Sequence, residues 1–261
     1  MSIIQAIIYG IVQGVTEFLP ISSTAHLTLI PWIFGWQNPG NVFDVALHFG
    51  TAIAVIAFFF RDWVRLIAAG FTKPKTEDGR LFWFLVIATV PGAASGVALD
   101  KYMGTFSNPL LIGVLLIMMG IVLYLCDKAG KSDIRLEEVG LKRSVVIGIS
   151  QVLAIIPGVS RSGITMSIGR AAGIDRGSIA KFTFLLSTPI ILGDALYHAK
   201  DLSSVHIDAL PFVAAVATAA IVGFLSIRFL LNYLKTKSLL VFTVYRFIFG
   251  AFVIVLYLVR T

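Results

Sequence analysis

Glu17, Ser23 and His26 lie close together within an otherwise apolar N-terminal stretch. A carboxylate, a hydroxyl and an imidazole are groups that proteins use for acid–base and nucleophilic chemistry. Gln13 precedes Glu17 by four residues, and Ser22 precedes His26 by four, so each pair shares one helix face. Ionisable residues in apolar surroundings are costly and usually functional. This stretch is therefore predicted to form half of an active site.

A second polar cluster, Pro-Gly-Val-Ser-Arg-Ser-Gly, occupies residues 157–163. Arg161 offers a planar fork that matches phosphate oxygens. Ser160 and Ser162 flank it at the expected start of a helix, where free N–H groups bind anions. Thr165 lies four residues after Arg161 and on the same helix face. The pattern predicts a binding site for a phosphate group.

Both clusters also have a structural interpretation. Glu17 could be protonated and bonded to a neighbouring helix, the serines could serve as helix caps, and His26 could be a buried side chain. Arg161 could belong to a basic turn in the cytoplasm. The apolar sequence on both sides of each cluster favours the functional interpretation.

The composition indicates a membrane protein. Hydrophobic residues make up 57% of the chain and charged residues 13%, whereas soluble domains contain about 25% charged residues. The mean hydropathy is +0.91. The net charge of +7 is expected from basic residues retained on the cytoplasmic face and not from nucleic-acid binding. The single cysteine, Cys126, excludes an intramolecular disulfide.

Six segments are long and apolar enough to span a bilayer, which takes about 20 residues. They are predicted at 42–60, 81–99, 109–125, 179–197, 209–231 and 239–259. Two further apolar regions are interrupted at Pro20 and Pro157. Proline ends a helix and serine begins a new one, and irregular backbone at membrane depth persists only inside protein or beside water. Both regions are predicted to be re-entrant helix hairpins, at 3–36 and 144–173, whose tips meet inside the protein.

The basic residues predict the orientation. If each hairpin returns to its own side, nearly all lysines and arginines of the connections fall on one side. The other side holds Lys101, Lys200 and Arg260. Because basic residues mark the cytoplasmic face, both termini are predicted to lie outside.

The chain contains an internal repeat. Gly10-Ile-Val-Gln is followed seven residues later by Pro20 and then serines, and Gly148-Ile-Ser-Gln is followed six residues later by Pro157 and then serines. Each hairpin is followed by three spans. The predicted repeats are 1–130 and 140–261. Three spans reverse the direction of insertion, so the second repeat should be inverted, as in proteins with a midplane site between broken helices. The predicted fold is an all-α integral membrane protein with an inverted-topology repeat, each half a re-entrant helix hairpin plus three transmembrane helices.

Residues 13–26 and 157–163 together resemble the signature motifs of the undecaprenyl-diphosphate phosphatase, or bacitracin-resistance, family, and the similarity covers the whole chain. The resemblance implies hydrolysis of undecaprenyl diphosphate to undecaprenyl phosphate and orthophosphate. It implies recycling of the lipid carrier for cell-wall peptidoglycan synthesis, and resistance to bacitracin. It also implies a multi-pass protein of the bacterial inner membrane with its active site facing outward. The partners are then a polyprenyl diphosphate lipid and membrane lipids, with no nucleic acid. The number of copies is left open, with a homodimer as one alternative.

The family's functional residues can be carried over by position. They become Glu17, Ser23, His26, Ser160, Arg161 and Thr165. We predict catalytic roles for Glu17, Ser23, His26 and Arg161. We predict substrate binding by Gln13, Ser22, Ser160, Arg161, Ser162 and Thr165. The resemblance also implies a divalent cation, Mg²⁺ or Ca²⁺, for which Glu17 is the single carboxylate because Gln13 stands where the motif often has glutamate.

In the expected mechanism Arg161 holds the terminal phosphoryl group, and Ser23 or a water attacks the phosphorus. His26 takes the proton, and Glu17 orients His26 or holds the metal. The alternative is a membrane transporter or flippase for a lipid phosphate or a small anion, since broken helices also occur in transporters. His48 and Arg246 are not assigned to the site, and Arg246 is expected to extend towards the inner surface.

Overall fold

The structure is a computed structural model. It describes residues 1–37, 40–99, 105–131, 133–198 and 208–260, and these contain no β-strand longer than an isolated bridge. The helices in these ranges are α1 (Ile3–Thr16), α2 (Ser23–Phe34), α3 (Asn41–Thr72), α4 (Glu77–Leu99), α5 (Pro109–Ala129), α6 (Leu141–Ser150), α7 (Arg161–Ala171), α8 (Arg176–His198), α9 (Ala209–Tyr233) and α10 (Leu240–Arg260).

Six of these helices, α3, α4, α5, α8, α9 and α10, are long and apolar enough to cross a membrane. They occupy the regions predicted as spans, and the prediction of an all-α integral membrane protein is confirmed. The main difference is α3, which continues to Thr72 instead of ending at residue 60. Phe59 has non-helical angles at that point, so the polar continuation forms a second helical segment after a kink. Lys101 and Lys200, which entered the orientation prediction, lie outside the described residues.

Each interrupted apolar region forms two short helices joined by a turn. In the first region α1 and α2 are separated by six residues that include Pro20. In the second region a 3-10 segment, Gln151–Ile155, follows α6, and a turn containing Pro157 precedes α7. All four α-helices of these regions are shorter than the helices that can span a membrane.

The second helix of each region begins with the same unusual cap. Ser22 has a φ of 77° and Ser160 has a φ of 76°, and they are the only described residues other than glycine with positive φ. Their hydroxyls accept hydrogen bonds from the N–H groups of Ala25 and Gly163. A left-handed serine is strained, so surrounding contacts must hold both turns.

The short helices pack against long helices from the other half of the chain. α1 lies along α9, and α6 lies along α4. A Cβ built on Gly10 would come within 2.8 Å of the Thr218 side chain. A Cβ built on Gly148 would come within 2.5 Å of the Ala88 carbonyl oxygen. Glycine is required at both positions because the backbones approach so closely.

A buried ionic cluster connects four helices at one end of the bundle. One oxygen of Asp127, in α5, accepts hydrogen bonds from Nε of Arg170 at 2.9 Å and Nε of Arg176 at 2.7 Å. Its other oxygen accepts from the backbone N–H of Leu239 at 3.0 Å. The cluster therefore joins α5 to the end of α7, the start of α8 and the start of α10, and so helps to position α7.

Candidate active site

The tips of the two hairpins are in direct contact inside the protein. The hydroxyl of Ser22 accepts a hydrogen bond from the backbone N–H of Gly158 at 3.1 Å. The hydroxyl of Ser162 donates to the backbone carbonyl of Leu19 at 3.0 Å. Both serines are almost completely buried. These reciprocal contacts set the spacing between the two polar clusters, which the sequence places far apart.

Glu17 lies at the centre of this junction. Its Oε2 accepts hydrogen bonds from the Ser23 hydroxyl at 2.6 Å and from the side-chain amide of Gln13 at 3.2 Å. Its Oε1 lies 3.7 Å from Nη1 of Arg161, and Nε2 of His48 lies 4.0 Å from Oε2. The Glu17 side chain is 6% exposed. A carboxylate this far from bulk water depends on such donors and on a neighbouring cation.

The contact between Ser23 and Glu17 differs from the expected pairing. We predicted that His26 would receive the Ser23 proton, but the Ser23 hydroxyl points to the carboxylate. Ser23 begins α2 directly after the strained Ser22, and the left-handed turn directs its hydroxyl back towards α1. A serine bonded to a buried carboxylate is an arrangement in which the carboxylate can act as general base.

His26 is held by groups other than Ser23. Its Nδ1 lies 2.7 Å from the carbonyl oxygen of Ser22, and its Nε2 lies 2.6 Å from the hydroxyl of Tyr245. The ring stacks on Phe249 at 4.6 Å. Since a carbonyl accepts only, Nδ1 carries a proton, and Nε2 of the neutral ring accepts from Tyr245. Both ring nitrogens of His26 are therefore occupied.

Arg161 begins α7 with its side chain 27% exposed. Its Nη1 faces Glu17 beyond hydrogen-bonding distance and is buried without a hydrogen-bond partner. Ser160 caps the same helix, and its hydroxyl lies 3.1 Å from that of Ser162. An arginine with an unused donor beside a helix N-terminus is suited to receive an oxyanion.

Several predicted substrate-binding hydroxyls are engaged within the protein. The Thr165 hydroxyl donates to the Arg161 carbonyl at 2.7 Å and accepts from Thr183 at 3.1 Å. Ser22 and Ser162 bond across the two tips, as described above. In this structure these three residues shape the site, whereas Arg161, Glu17 and Ser23 present polar atoms at the junction.

Two residues of α10 that were not predicted to belong to the site adjoin it. Tyr245 bonds to His26 from a position 219 residues away. Arg246 was expected to extend to the inner surface, but it is fully buried, and its Nη2 donates to the carbonyls of Gly158 and Val159 at 3.2 and 2.8 Å. The expectation for Arg246 was wrong. The available signal was an arginine within an otherwise apolar span.

The residues around Glu17 do not by themselves form a complete site for a resident divalent cation. Within the described parts of the chain, no three His, Cys, Asp or Glu side chains come together as a set that could hold a metal ion. Glu17 is instead surrounded by hydrogen-bond donors and by the Arg161 guanidinium. A bound Mg²⁺ or Ca²⁺ would therefore have Glu17 as its carboxylate ligand and would take its other oxygen ligands from the substrate and water.

Comparison with known proteins identifies the family. The family model described as bacitracin resistance protein BacA matches residues 6–252. An undecaprenyl-diphosphatase of Moorella thermoacetica is 51% identical over 100% of both chains, and one of Desulforudis audaxviator is 52% identical, also over 100% of both. One of Pelotomaculum thermopropionicum is 50% identical over 98% of this chain and 97% of its own length. The chain therefore belongs to the bacitracin resistance protein BacA family.

Proposed function

We propose that this protein is an undecaprenyl-diphosphate phosphatase, which hydrolyses undecaprenyl diphosphate to undecaprenyl phosphate and orthophosphate. The observation that carries the proposal is the short contact between Ser23 and Glu17 with Arg161 beside it. The relatives described above bear the name of this activity. A multi-pass membrane protein suits a substrate with a phosphate head and a long apolar tail.

In the proposed mechanism Ser23 is the nucleophile. Glu17 takes the hydroxyl proton while the serine oxygen attacks the terminal phosphorus. The bond from this phosphorus to the bridging oxygen breaks, and undecaprenyl phosphate leaves with that oxygen. Water then hydrolyses the phosphoserine, which releases orthophosphate and restores the hydroxyl. The structure supports this assignment because the carboxylate already accepts the Ser23 hydrogen bond at 2.6 Å.

Arg161 and the start of α7 are proposed to bind the terminal phosphoryl group. Phosphoryl transfer depends mainly on positioning and on stabilising charge that spreads over the phosphate oxygens. The unused Nη1 donor of Arg161 is available for this purpose. Gln13 holds the Glu17 carboxylate at 3.2 Å. His26 is proposed to hold the strained Ser22 backbone, and thereby to set the direction of Ser23.

Hydrolysis accounts for the site better than transport does. A carrier that only binds an anion needs cationic groups but no serine bonded to a buried carboxylate. Purified protein incubated with undecaprenyl diphosphate tests the difference. Release of orthophosphate that is lost in Glu17→Ala supports the enzyme, whereas movement of the lipid across vesicles without orthophosphate release supports the transporter or flippase.

We also propose the inverted repeat and the inner-membrane orientation with termini and site facing outward. Support for the repeat comes from matched features of the two hairpins: the left-handed caps Ser22 and Ser160, and the close-approach glycines Gly10 and Gly148. In addition α5 packs on α10 and α3 on α8, so each of these helices contacts its counterpart in the other half, as a two-fold relation allows. The divalent-cation requirement and the homodimer stay predictions.

A further inference from the structure

Arg246 is an unusual residue for the middle of a membrane protein. It lies on α10 and has 0% of its surface exposed. Only Nη2 has partners, the carbonyl oxygens of Gly158 and Val159, while Nε and Nη1 are buried without any hydrogen-bond partner. No ion pair among the described residues includes it. Arg246 is therefore a buried cation without a carboxylate to balance it.

Burial of such a residue destabilises the folded state. A buried guanidinium that lacks a counter-charge costs free energy that two carbonyl acceptors only partly offset. Arg170, the other fully buried arginine, shows the stable alternative, because it bonds to the Asp127 carboxylate and to three carbonyls. Ionisable residues at membrane depth are usually retained for a ligand or a reaction.

Arg246 lies beside the proposed phosphate-binding end of α7. Gly158 and Val159 immediately precede Ser160 and Arg161, and a Cβ built on Gly163 would lie 3.4 Å from Nη2 of Arg246. Arg246 therefore packs against the first turn of α7. By binding the two carbonyls it fixes the loop that leads into this helix, whose free N–H groups are directed towards its N-terminal end.

The arginines at the junction have donors that are not used within the protein. Arg161, Arg246 and the positive end of α7 lie on one side, and Glu17 is the carboxylate paired with Arg161. Nη1 of Arg161 and two nitrogens of Arg246 are buried donors without partners. A ligand with several negatively charged oxygens would supply the missing acceptors.

We propose that Arg246 is a specificity-determining and positioning residue that makes the site prefer a diphosphate to a monophosphate. It holds the loop before α7, and a bound diphosphate supplies acceptors for its buried Nε and Nη1. This inference deepens the proposed function and rests on it, because it assigns the same junction as the diphosphate site.

The test measures binding without turnover. Full-length protein in detergent is titrated with inorganic pyrophosphate and, separately, with inorganic phosphate, and the rise in the thermal unfolding midpoint gives each affinity. The variants are Arg246→Gln, which keeps a donor but removes the charge, and Arg246→Lys, which keeps the charge. Arg228→Gln, an exposed position on neighbouring α9, is the matched control.

We expect Arg246→Gln to weaken pyrophosphate binding by about tenfold to hundredfold, the effect of one charged interaction in a dry site. Phosphate binding should weaken less, so the preference for pyrophosphate should fall. Arg246→Lys should retain most of that preference, and Arg228→Gln should match the wild type. Equal pyrophosphate affinity in Arg246→Gln and the wild type would overturn the proposal. An equal loss of pyrophosphate affinity in Arg246→Lys and Arg246→Gln would also overturn it.

Other outcomes are equally decisive. If both Arg246 variants fail to fold, or lose ligand-free stability without a change in preference, the residue is structural and the proposal is wrong. Wild-type protein that binds pyrophosphate with the Arg246-dependent preference, but releases no orthophosphate from undecaprenyl diphosphate, would contradict the proposed function alone. Hydrolysis that continues unchanged in Arg246→Gln would contradict the Arg246 assignment alone.

Discussion

At the scale of single residues, the central feature is a serine hydroxyl bonded to a nearly buried carboxylate beside an arginine. Its parts could be predicted from the sequence, because Glu17, Ser23 and Arg161 stand out as polar residues in apolar surroundings. The pairing could not be predicted. Ser23 and His26 share α2, which favoured their contact, but the left-handed Ser22 turns the hydroxyl towards Glu17. Backbone angles of a non-glycine turn are not readable from composition.

Removal of the nucleophile should abolish turnover while leaving the substrate site in place. We expect Ser23→Ala to lower kcat by about 10³-fold or more, as losses of nucleophiles do, with little change in pyrophosphate binding. Orthophosphate release and pyrophosphate titration measure the two effects. Thr28→Ala, which removes a hydroxyl further along the same helix, is the control. A Ser23→Ala enzyme with near-normal kcat would assign the attack to water.

The arginine fork should not be replaceable by lysine. We expect Arg161→Lys to lower kcat/KM by about 10²-fold, since a point charge does not reproduce two aligned donors to phosphate oxygens. Steady-state orthophosphate release measures this, with the exposed Arg228→Lys as the matched control. Near-normal kcat/KM in Arg161→Lys would count against its role at the phosphoryl group.

The hydrogen bond between Tyr245 and His26 should matter for activity. Tyr245→Phe removes the hydroxyl but keeps the ring, so Nε2 of His26 loses its partner at 2.6 Å. We expect kcat to fall by about 5- to 50-fold, which corresponds to one lost buried hydrogen bond. Tyr124→Phe on α5 is the control, because its ring faces outward. Identical kcat values for Tyr245→Phe and the wild type would show that this hydrogen bond does not contribute to catalysis.

At the scale of elements, the two interrupted helices were predictable from proline and serine within apolar sequence. Their packing partners were not, because Gly10 and Gly148 reveal close approach but not the helix approached. The structure pairs Gly10 with α9 and Gly148 with α4. The ionic cluster around Asp127 could not be predicted from the sequence either, because its members come from separate elements.

Close packing of α6 on α4 should not tolerate a methyl group. We expect Gly148→Ala to destabilise the protein by about 1–3 kcal/mol, because the new Cβ would meet the Ala88 carbonyl oxygen at 2.5 Å. Gly96→Ala in α4 is the control, since a Cβ there meets nothing within 4 Å. Thermal unfolding in detergent compares them, and equal midpoints for the two variants would contradict the described packing.

The Asp127 cluster should be essential for docking α7. We expect Asp127→Asn to cost about 3–5 kcal/mol, because it leaves the buried Arg170 without its counter-charge. Asp133→Asn changes an exposed carboxylate in the same part of the chain and should have little effect. Unfolding midpoints that agree within error for the two variants would show that the cluster does not stabilise the fold.

At the scale of the whole molecule, the fold class followed from composition and span length, whereas the assembly of the site did not. Two short hairpins, separated along the chain by three long helices, meet at their tips and bring Glu17 within 3.7 Å of Arg161. The sequence indicated this meeting through its repeat and polar clusters. It did not indicate that α10 would supply Tyr245 and Arg246, because a single arginine in a span has no partner until the helices are packed.

The orientation of the molecule can be tested in cells. In a Cys126→Ser background, we expect a cysteine at Ser2 to react with a membrane-impermeant maleimide in spheroplasts with intact inner membranes. A cysteine at Lys75, between α3 and α4, should react only after the membrane is opened. The reverse pattern would place the termini and the proposed site on the cytoplasmic side.

The most direct measurement of the central claim is orthophosphate release from undecaprenyl diphosphate by purified wild-type protein and by Glu17→Gln, with acid quench to trap Ser23. We predict release by the wild type, loss of release in a folded Glu17→Gln protein, and a phosphate group on Ser23 during turnover. Orthophosphate release that persists in Glu17→Gln would contradict a mechanism in which the Glu17 carboxylate activates the Ser23 hydroxyl. Turnover of the wild type without phosphate on Ser23 after the acid quench would also contradict it.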